Sequence, residues 1–589
     1  MGKKETGCIL IIIRVLKKFG SILSKHQIIR IIELAVLMFI GGILEMCSVS
    51  LVIPFMNAML DPEAFMKKWY AQVICNILKL DSARNLLLVV ALGMAAIYIL
   101  KNAYLLFESN IQYRFVYGNM LSMQRKILAN YLKRPYEYYL TVDSGEVLRV
   151  VNDDIKEAFM LLMTIIVFLT EFIVSLMLVI AIFIISPFVT IFMAITLLLM
   201  ILLITSVVRP LLKKAGSTRQ KSLAGINKLL IQIIQGIKEI KVTNSEEFFK
   251  SSYAKNGRTY VNSMCRYSIL GVLPRTIIEA VSMSAMFIVI ALMIYGGGNF
   301  VAIIPTVSAI AVAALRLLPA ANKMSSALGN VAFYEPALDK VIDNIREMDM
   351  IASHKMDADS TNKIGTLNDG ILMEKATYKY PGSEKNVLDN ASMSIKKGQS
   401  VGIVGASGAG KTTAVDLLLG LLELNSGSIL VDGNNILDDM TGWYELIGYI
   451  PQSIFLMDDT IKSNVAFGRE ISEIDDEQVW NALKDAALDE FVKELPNGID
   501  TVVGERGMRL SGGQRQRIGI ARALYRKPQI IIFDEATSAL DNETESEIME
   551  SINKFRGQKT MIIIAHRLTT IQNCDCVFRV EDGKIVRER

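Results

Sequence analysis

Ser400-Val-Gly-Ile-Val404 runs directly into Gly405-Ala406-Ser407-Gly408-Ala409-Gly410-Lys411-Thr412, and Thr413 continues into a leucine-rich stretch that ends near Leu422. A short apolar run, a loop of glycines and small residues, and then a helical pattern read as strand, loop and helix. The spacing G-x4-G-K-[ST] is that of a phosphate-binding loop. Backbone N–H groups of such a loop converge on phosphate oxygens at a helix N-terminus. Lys411 is placed to reach the β- and γ-phosphates of a nucleotide, and Thr412 to ligate Mg²⁺. A lone match of this kind arises by chance, so its weight depends on its surroundings.

Downstream, Ile530-Ile-Ile-Phe-Asp534-Glu535 is a second buried strand, and it ends in two carboxylates. Asp534 is placed to hold Mg²⁺ and Glu535 to polarise a water in line with the γ-phosphate. From Ile371 onward, β-like apolar runs alternate with amphipathic stretches, which is the pattern of an α/β domain.

Upstream the chain has a different character. It has 589 residues, 52% hydrophobic and only 21% charged, and its mean hydropathy is +0.37. That balance excludes an ordinary water-soluble domain and a disordered chain. The net charge of +4 offers no electrostatic case for a polyanion partner, so no nucleic-acid role is expected. Six cysteines in a chain of this length do not make a disulfide framework.

Apolar density concentrates before residue 330. Glu171 is the only charged residue from Ala158 to Val208, a run too long for one span and interrupted at Ser186-Pro187. Ala280–Leu315 is another uncharged run, punctuated by Gly296-Gly-Gly-Asn299. With Ile31–Met59 and Leu86–Phe107, the total is six spans. Lys and Arg crowd the N-terminal thirty residues, 108–157 and 209–275, and are sparse in the alternate connections. Both termini and the two long connections are therefore predicted to be cytoplasmic. The first apolar run, Cys8–Ile13, is too short for a cleavable signal peptide. An amphipathic interfacial helix over Ile9–Phe19 is expected there, in preference to the lipid anchor that Met1-Gly2-x3-Thr6 would permit.

Leu510-Ser511-Gly512-Gly513-Gln514, followed by Arg515-Gln-Arg517, resembles the signature motif of ATP-binding cassette (ABC) proteins. The other family marks follow in order. Tyr380 resembles the aromatic that stacks on adenine. Gln452 resembles the glutamine that touches Mg²⁺ and couples the nucleotide site to the membrane helices. Asp541, in Ser538-Ala-Leu-Asp541, lies in the segment that resembles the D-loop, and His566 resembles the switch histidine. The resemblance implies a membrane α-helical domain of six transmembrane helices, with the type I ABC exporter fold, fused to an α/β P-loop nucleotide-binding domain. The expected division is 1–330 transmembrane, 331–370 linker and 371–589 cassette. It implies ATP and Mg²⁺ as cofactors and Glu535, His566 and Gln452 as catalytic residues. Nucleotide would be held by Tyr380, 405–413, Ser511, Gly512, Gly513, Gln514 and Asp541, and Mg²⁺ by Thr412, Gln452 and Asp534. In the family a signature motif faces the opposite P-loop, so this half-transporter is expected to be a homodimer with two hydrolytic sites. Tyr139–Asp154 and Thr243–Phe249 resemble its coupling helices.

Charged residues inside spans are functional suspects. They are Glu45, Lys101, Glu171, Arg275, Glu279 and Arg316. Arg275 and Glu279 are spaced to pair along one helix face. Arg316 lies ~22 Å into the sixth span. It either pairs across helices, with Glu45 or Glu171, or faces an anion in a wet cavity. Arg316-Leu-Leu-Pro319-Ala-Ala-Asn322-Lys323, Pro274-Arg275 and the outer connection Asp61–Asn85 resemble bacterial flippases of polyprenyl-pyrophosphate-linked oligosaccharides. That implies a plasma-membrane protein carrying an amphipathic lipid-linked substrate, with Arg275, Arg316 and Lys101 attracting its pyrophosphate. A multidrug or lipid exporter of the same architecture is the alternative.

Overall fold

The computed structural model describes residues 8–79, 82–142, 144–185, 209–295, 300–355, 363–534, 550, 553–564 and 571–589, with some helical side chains, including those of Arg275 and Arg316, outside the described set. The chain divides into two compact units. One comprises Met1–Arg134 and Val142–Ala352, the other Pro135–Thr141 and Ser353–Arg589.

The first unit is helical. Helix α1 (Cys8–Gly20) is amphipathic, as expected. Ile12, Val15 and Phe19 are buried on one stripe, and on the other side Arg14 and Lys18 both pair with Glu335. Helix α2 (Lys25–Ser50) begins at Ser24, which with Gln27 forms a reciprocal capping box. After α3 (Val52–Leu60), the outer connection folds as α4 (Pro62–Met66) and α5 (Trp69–Leu78). Phe65 and Ala71 are buried beneath it, while Trp69 and Ile77 are about three-quarters exposed. Helix α6 (Ala83–Leu132) has 50 residues, ~75 Å of helix against a hydrocarbon core of ~30 Å. It therefore continues well beyond one span.

Helix α7 (Tyr136–Thr141) belongs to the second unit. The chain returns to the first through α8 (Ser144–Arg149), a π-turn at Val150–Asp154 and α9 (Ile155–Ile185). Then come α10 (Arg209–Gln235), α11 (Ile237–Val242), α12 (Glu246–Tyr295) and α13 (Phe300–Lys355). Among the described residues three segments are long and apolar enough to cross a membrane: Lys25–Leu60, Ala83–Leu132 and Gly145–Ala181. The expected breaks at Ser186-Pro187 and Gly296–Asn299 lie outside the described residues.

The linker expected over 331–370 needs correction, because α13 continues to Lys355. Ala337, Leu338, Val341, Ile342 and Ile345 are buried on one helical stripe. Read by composition, the charged residues between them hide that period.

The second unit is built on two sheets. Strands β1 (Gly370–Tyr378), β2 (Leu388–Lys396), β3 (Ser400–Val404), β4 (Ser426–Val431), β5 (Asn434–Asn435), β6 (Ile447–Ile450), β7 (Ile530–Asp534), β8 (Thr560–Ile564), β9 (Cys576–Glu581) and β10 (Lys584–Arg587) follow in chain order. An antiparallel sheet has the order β2-β1-β4-β5, and a mainly parallel one the order β10-β9-β3-β8-β7-β6. Strands β3, β7 and β8 are buried at every position, which is why they read as unbroken apolar runs. Helix α14 (Lys411–Leu418) lies between the two sheets, with Ala414, Val415, Leu417 and Leu418 in one core, and α15 (Met440–Leu446), α16 (Ile461–Val465), α17 (Asp476–Asp485) and α18 (Asp489–Glu494) follow it in the chain. The opposite face of the parallel sheet carries the second core, to which α19 (Gly512–Tyr525) contributes Ile518, Ile520 and Ala521.

Candidate functional site

The register of the parallel sheet brings the chemistry to one edge. Ile403 pairs with Ile564, Asp534 with Ile564, and Ile450 with Phe533. The C-terminal ends of β3, β8, β7 and β6 therefore align, the edge where open α/β sheets bind ligands. The loop 405–410 leaves from β3, Asp534 closes β7, and Gln452 follows β6 by two residues. Glu535, Asp541 and His566 lie outside the described residues.

The loop's shape needs its glycines at two points. A Cβ on Gly405 would stand 2.4 Å from the Val580 carbonyl oxygen. Gly410, the N-cap of α14, has φ +102°, and a Cβ there would stand 2.9 Å from Val387 Cγ1. Lys411 is 5% exposed, and its Nζ donates to the carbonyls of Gly405 (3.1 Å) and Ala406 (3.2 Å). The ammonium thus spans the loop from inside, where phosphate oxygens would compete for it. Thr412 is exposed at the helix start, and the hydroxyls of Thr413 and Tyr380 are hydrogen-bonded at 3.0 Å. Tyr380 is thereby held at the P-loop helix, with its ring edge-to-face against Tyr378.

Oxygen donors dominate the site: the Thr412 hydroxyl, the Gln452 amide and the Asp534 carboxylate. Such a hard, incomplete set suits Mg²⁺, which takes one or two carboxylates together with substrate phosphates. Among the described residues no cluster of three His, Cys, Asp or Glu forms a self-sufficient metal cage. A nucleotide-borne Mg²⁺ is the kind this site fits.

Two residues here escaped the sequence reading. Tyr449 donates its hydroxyl to Asp534 Oδ2 at 3.3 Å, and burial followed by the Asp534 and Asp416 carboxylates pushes the phenol up. Asp416, one turn beyond Thr412 on α14, is pushed up to about 6 by burial and then by Asp534. The i,i+4 spacing from Thr412 was the available signal, but only the fold reveals the second carboxylate.

The native state thus holds the Asp416 proton more tightly than an unfolded chain, where its ordinary value is 3.8. Stability is lost as pH rises from about 4 to about 6 and stays lower above. In nucleotide- and Mg²⁺-free protein, Asp416→Asn should raise the thermal midpoint at pH 8 and bring no gain near pH 4. Coincident melting curves at pH 8 would show that Asp416 is effectively solvated.

Helix α7 reaches this site within the second unit. Tyr378 donates to Glu137 Oε1 at 2.8 Å, and burial, then Asp416 and Tyr380, pushes the Tyr136 phenol up. The expected first coupling segment, Tyr139–Asp154, is thus shifted: Tyr136–Thr141 is the part that joins the cassette, while the π-turn after α8 stays in the first unit. The reason is local, because Glu137 and Tyr136 supply the polar contacts. Of the second expected segment, Thr243 and Asn244 form a turn and Glu246 opens α12.

The signature segment starts α19. Ser511 Oγ accepts from Gln514 N at 3.2 Å, and Gln514 Oε1 accepts from Ser511 N at 2.8 Å. With the cap closed on itself, this helix N-terminus carries the partial positive charge that suits an anion. Arg515 donates to the Leu510 carbonyl (3.1 Å), and Arg522 ties α19 to Phe455 and Asn464.

In the first unit, Lys101 is 7% exposed and donates to Glu45 Oε2 at 3.2 Å. Its charge is already neutralised by a carboxylate on a neighbouring helix. Glu171 accepts from Lys323. Lys323, Glu279, Asn322, Asn330, Ser326 and Thr164 are the polar lining of a cavity of about 760 Å³.

Two family models match the chain: ABC transporter over residues 388–538 and ABC transporter transmembrane region over 62–314. An ATP-dependent lipid A-core flippase of Methylobacillus flagellatus is 30% identical over 382 residues, 64% of this chain and 63% of that protein. One of Vibrio cholerae is 41% identical over 221 residues, 37% of this chain and 38% of that one. A Staphylococcus aureus protein named as a multidrug export ATP-binding/permease protein is 43% identical over 217 residues, 37% of each chain. The chain thus spans less than two thirds of the length of each of these relatives. A bacterial Atm1-family ABC exporter with ATP bound shares the fold, with a TM-score of 0.70 at 24% identity over 96% of this chain and 95% of that one. The transmembrane match followed by the cassette match, on the architecture described, places the chain among the ABC transporters.

Proposed function

We propose that the chain is half of an ATP-driven exporter or flippase that works as a homodimer in the plasma membrane. The observation that carries this reading is the aligned sheet edge that bears the Lys411 loop, Asp534 and Gln452. ATP and Mg²⁺ bind there, with Thr412, Gln452 and Asp534 as the protein's Mg²⁺ ligands. The metal supplies neutralisation of the phosphate charge. Lys411 and the loop amides orient the phosphates, and Glu535 accepts a proton from the attacking water while His566 steadies the γ-phosphate. Ser511, Gly512, Gly513 and Gln514, with Asp541, complete the site of the opposite cassette. Because α7 touches the cassette at Glu137 and Tyr136, a change at the nucleotide is felt by a segment continuous with α6.

The cargo is an amphipathic lipid with an anionic headgroup, a polyprenyl-pyrophosphate-linked oligosaccharide. The cavity supports this through a mixed lining, in which apolar Val167, Val272 and Pro319 accompany Lys323, Asn322, Asn330 and Glu279. Lys323, half exposed on the cavity wall although it pairs with Glu171, joins Arg275, Arg316 and Lys101 as a basic candidate for the pyrophosphate. In liposomes containing the purified protein, a polyprenyl-pyrophosphate oligosaccharide should raise ATP turnover several-fold over the empty bilayer. If only hydrophobic drugs alter the rate, the multidrug reading replaces this one. If lipid A alone alters it, the cargo is a different anionic lipid.

A further inference from the structure

A buried carboxylate in the membrane unit lacks a partner that would explain a charge. Glu108, on α6, is 2% exposed. Its Oε1 accepts from Gln112 Nε2 at 2.8 Å, and Gln112 Nε2 also reaches Thr170 Oγ1 at 3.4 Å. Its Oε2 is buried with no hydrogen-bond partner among the described residues. Space for that oxygen comes from α2: a Cβ on Gly41 would stand 2.6 Å from Glu108 Oε2. Gly41 lies about ten residues, ~15 Å of helix, beyond the expected start of the first span at Ile31. The carboxyl group is therefore inside the apolar layer, beside bare backbone.

The neighbouring charges leave it unneutralised. On its own helix, Lys101 is engaged with Glu45 of α2, and the Tyr104 hydroxyl donates to the Leu37 carbonyl. On α9, Glu171 is a second carboxylate, and Lys323 of α13 is paired with it. Each of these two lysines already holds one acid, and among the described residues neither is left for Glu108. An ionised carboxylate in that position would be desolvated without compensation, so the group is far more stable with a proton on it.

We propose that Glu108 is a proton-binding site of the transport cycle. In the conformation seen, the proton rests on the carboxyl beside Gly41. When α2, α6 and α9 move apart, water reaches Oε2, the proton passes to that water as hydronium, and the carboxylate left behind is hydrated. The return of the helices requires a proton to be taken up again. Lys323 of the cavity lining pairs with Glu171, and Thr170, the residue before it on α9, accepts from Gln112, so the exchange can take place on the cavity side. Turnover then depends on the pH at that side of the membrane, beyond the need for ATP.

The test uses the full chain in lipid with glutamate carboxyls isotopically labelled, wild type against Glu108→Gln. At neutral pH the infrared spectrum of wild type should contain a protonated-carboxyl band that Glu108→Gln lacks. Trapping the nucleotide-bound state with Mg²⁺ and the non-hydrolysable analogue AMP-PNP should remove the band. This reading needs neither cargo nor turnover, so it stands or falls separately from the flippase proposal. In proteoliposomes with an imposed pH gradient, wild-type ATP turnover should change several-fold, Glu108→Gln should be insensitive to the gradient, and Glu108→Asp should regain a response. The proposal is overturned if the wild-type band is missing or unaffected by trapping. It is equally overturned if Glu108→Gln follows the wild-type gradient response. Should Glu108→Gln fail to fold, the trapping response of labelled wild type, together with Glu108→Asp, decides the question.

Discussion

Glu535→Gln in the reconstituted full-length protein should lower ATP turnover by ~10²–10⁴-fold, the range a positioned general base contributes. ATP affinity should change little, because the substitution keeps the size of the side chain and removes only its ability to take a proton. The expectation rests on chain geometry. Strand β7 is buried at all five positions and ends at Asp534, itself 4% exposed at the edge shared with the P-loop. Glu535 directly follows Asp534 in the sequence. The measurement is steady-state phosphate release alongside equilibrium ATP binding. If turnover persists in the variant, the attacking water is activated by another group, and the role given to Glu535 is wrong.

Lys411→Met should weaken ATP binding by about 10–100-fold, because hydrogen bonds to charged groups contribute roughly 1.5–3 kcal/mol and 1.4 kcal/mol is a factor of ten. Met keeps the length and apolar stem of lysine, so packing of the 5%-exposed side chain is largely preserved. In the structure the ammonium donates to the carbonyls of Gly405 and Ala406. A phosphate oxygen offers a full negative charge where those carbonyls offer dipoles, so the nucleotide draws the ammonium over. Titration calorimetry with ATP and Mg²⁺ measures the loss directly. An affinity within a factor of two of wild type would mean that Lys411 serves only to shape its own loop.

Much of the cassette was legible because its chemistry is contiguous. The phosphate-binding loop, the β7 carboxylates and the signature serine each occupy a few successive residues, and backbone geometry is dictated locally by glycine, proline and capping groups. Ser511 and Gln514 show this: a reciprocal cap three residues apart sets the start of α19. The amphipathic stripe of α1 was equally visible, as Ile12, Val15 and Phe19 recur with the helical period. The end of α13 was misread because a stripe of five apolar residues is diluted by charged neighbours, and only the helical period separates such a segment from a linker.

The residue pattern by itself determined the membrane helices, the α/β cassette and the order of its motifs, since hydrophobic period and turn chemistry act between near neighbours. Only the tertiary structure decided which charges meet. Lys101 finds Glu45 across 56 residues and Lys323 finds Glu171 across 152, and Tyr378 reaches Glu137 across 241. Those pairings depend on which helix faces pack together and at what register, which no local rule specifies. The same packing leaves Glu108 against Gly41 without a cation among the described residues. In a low-dielectric interior, whether a carboxylate is paired or left over is a property of the assembled helices.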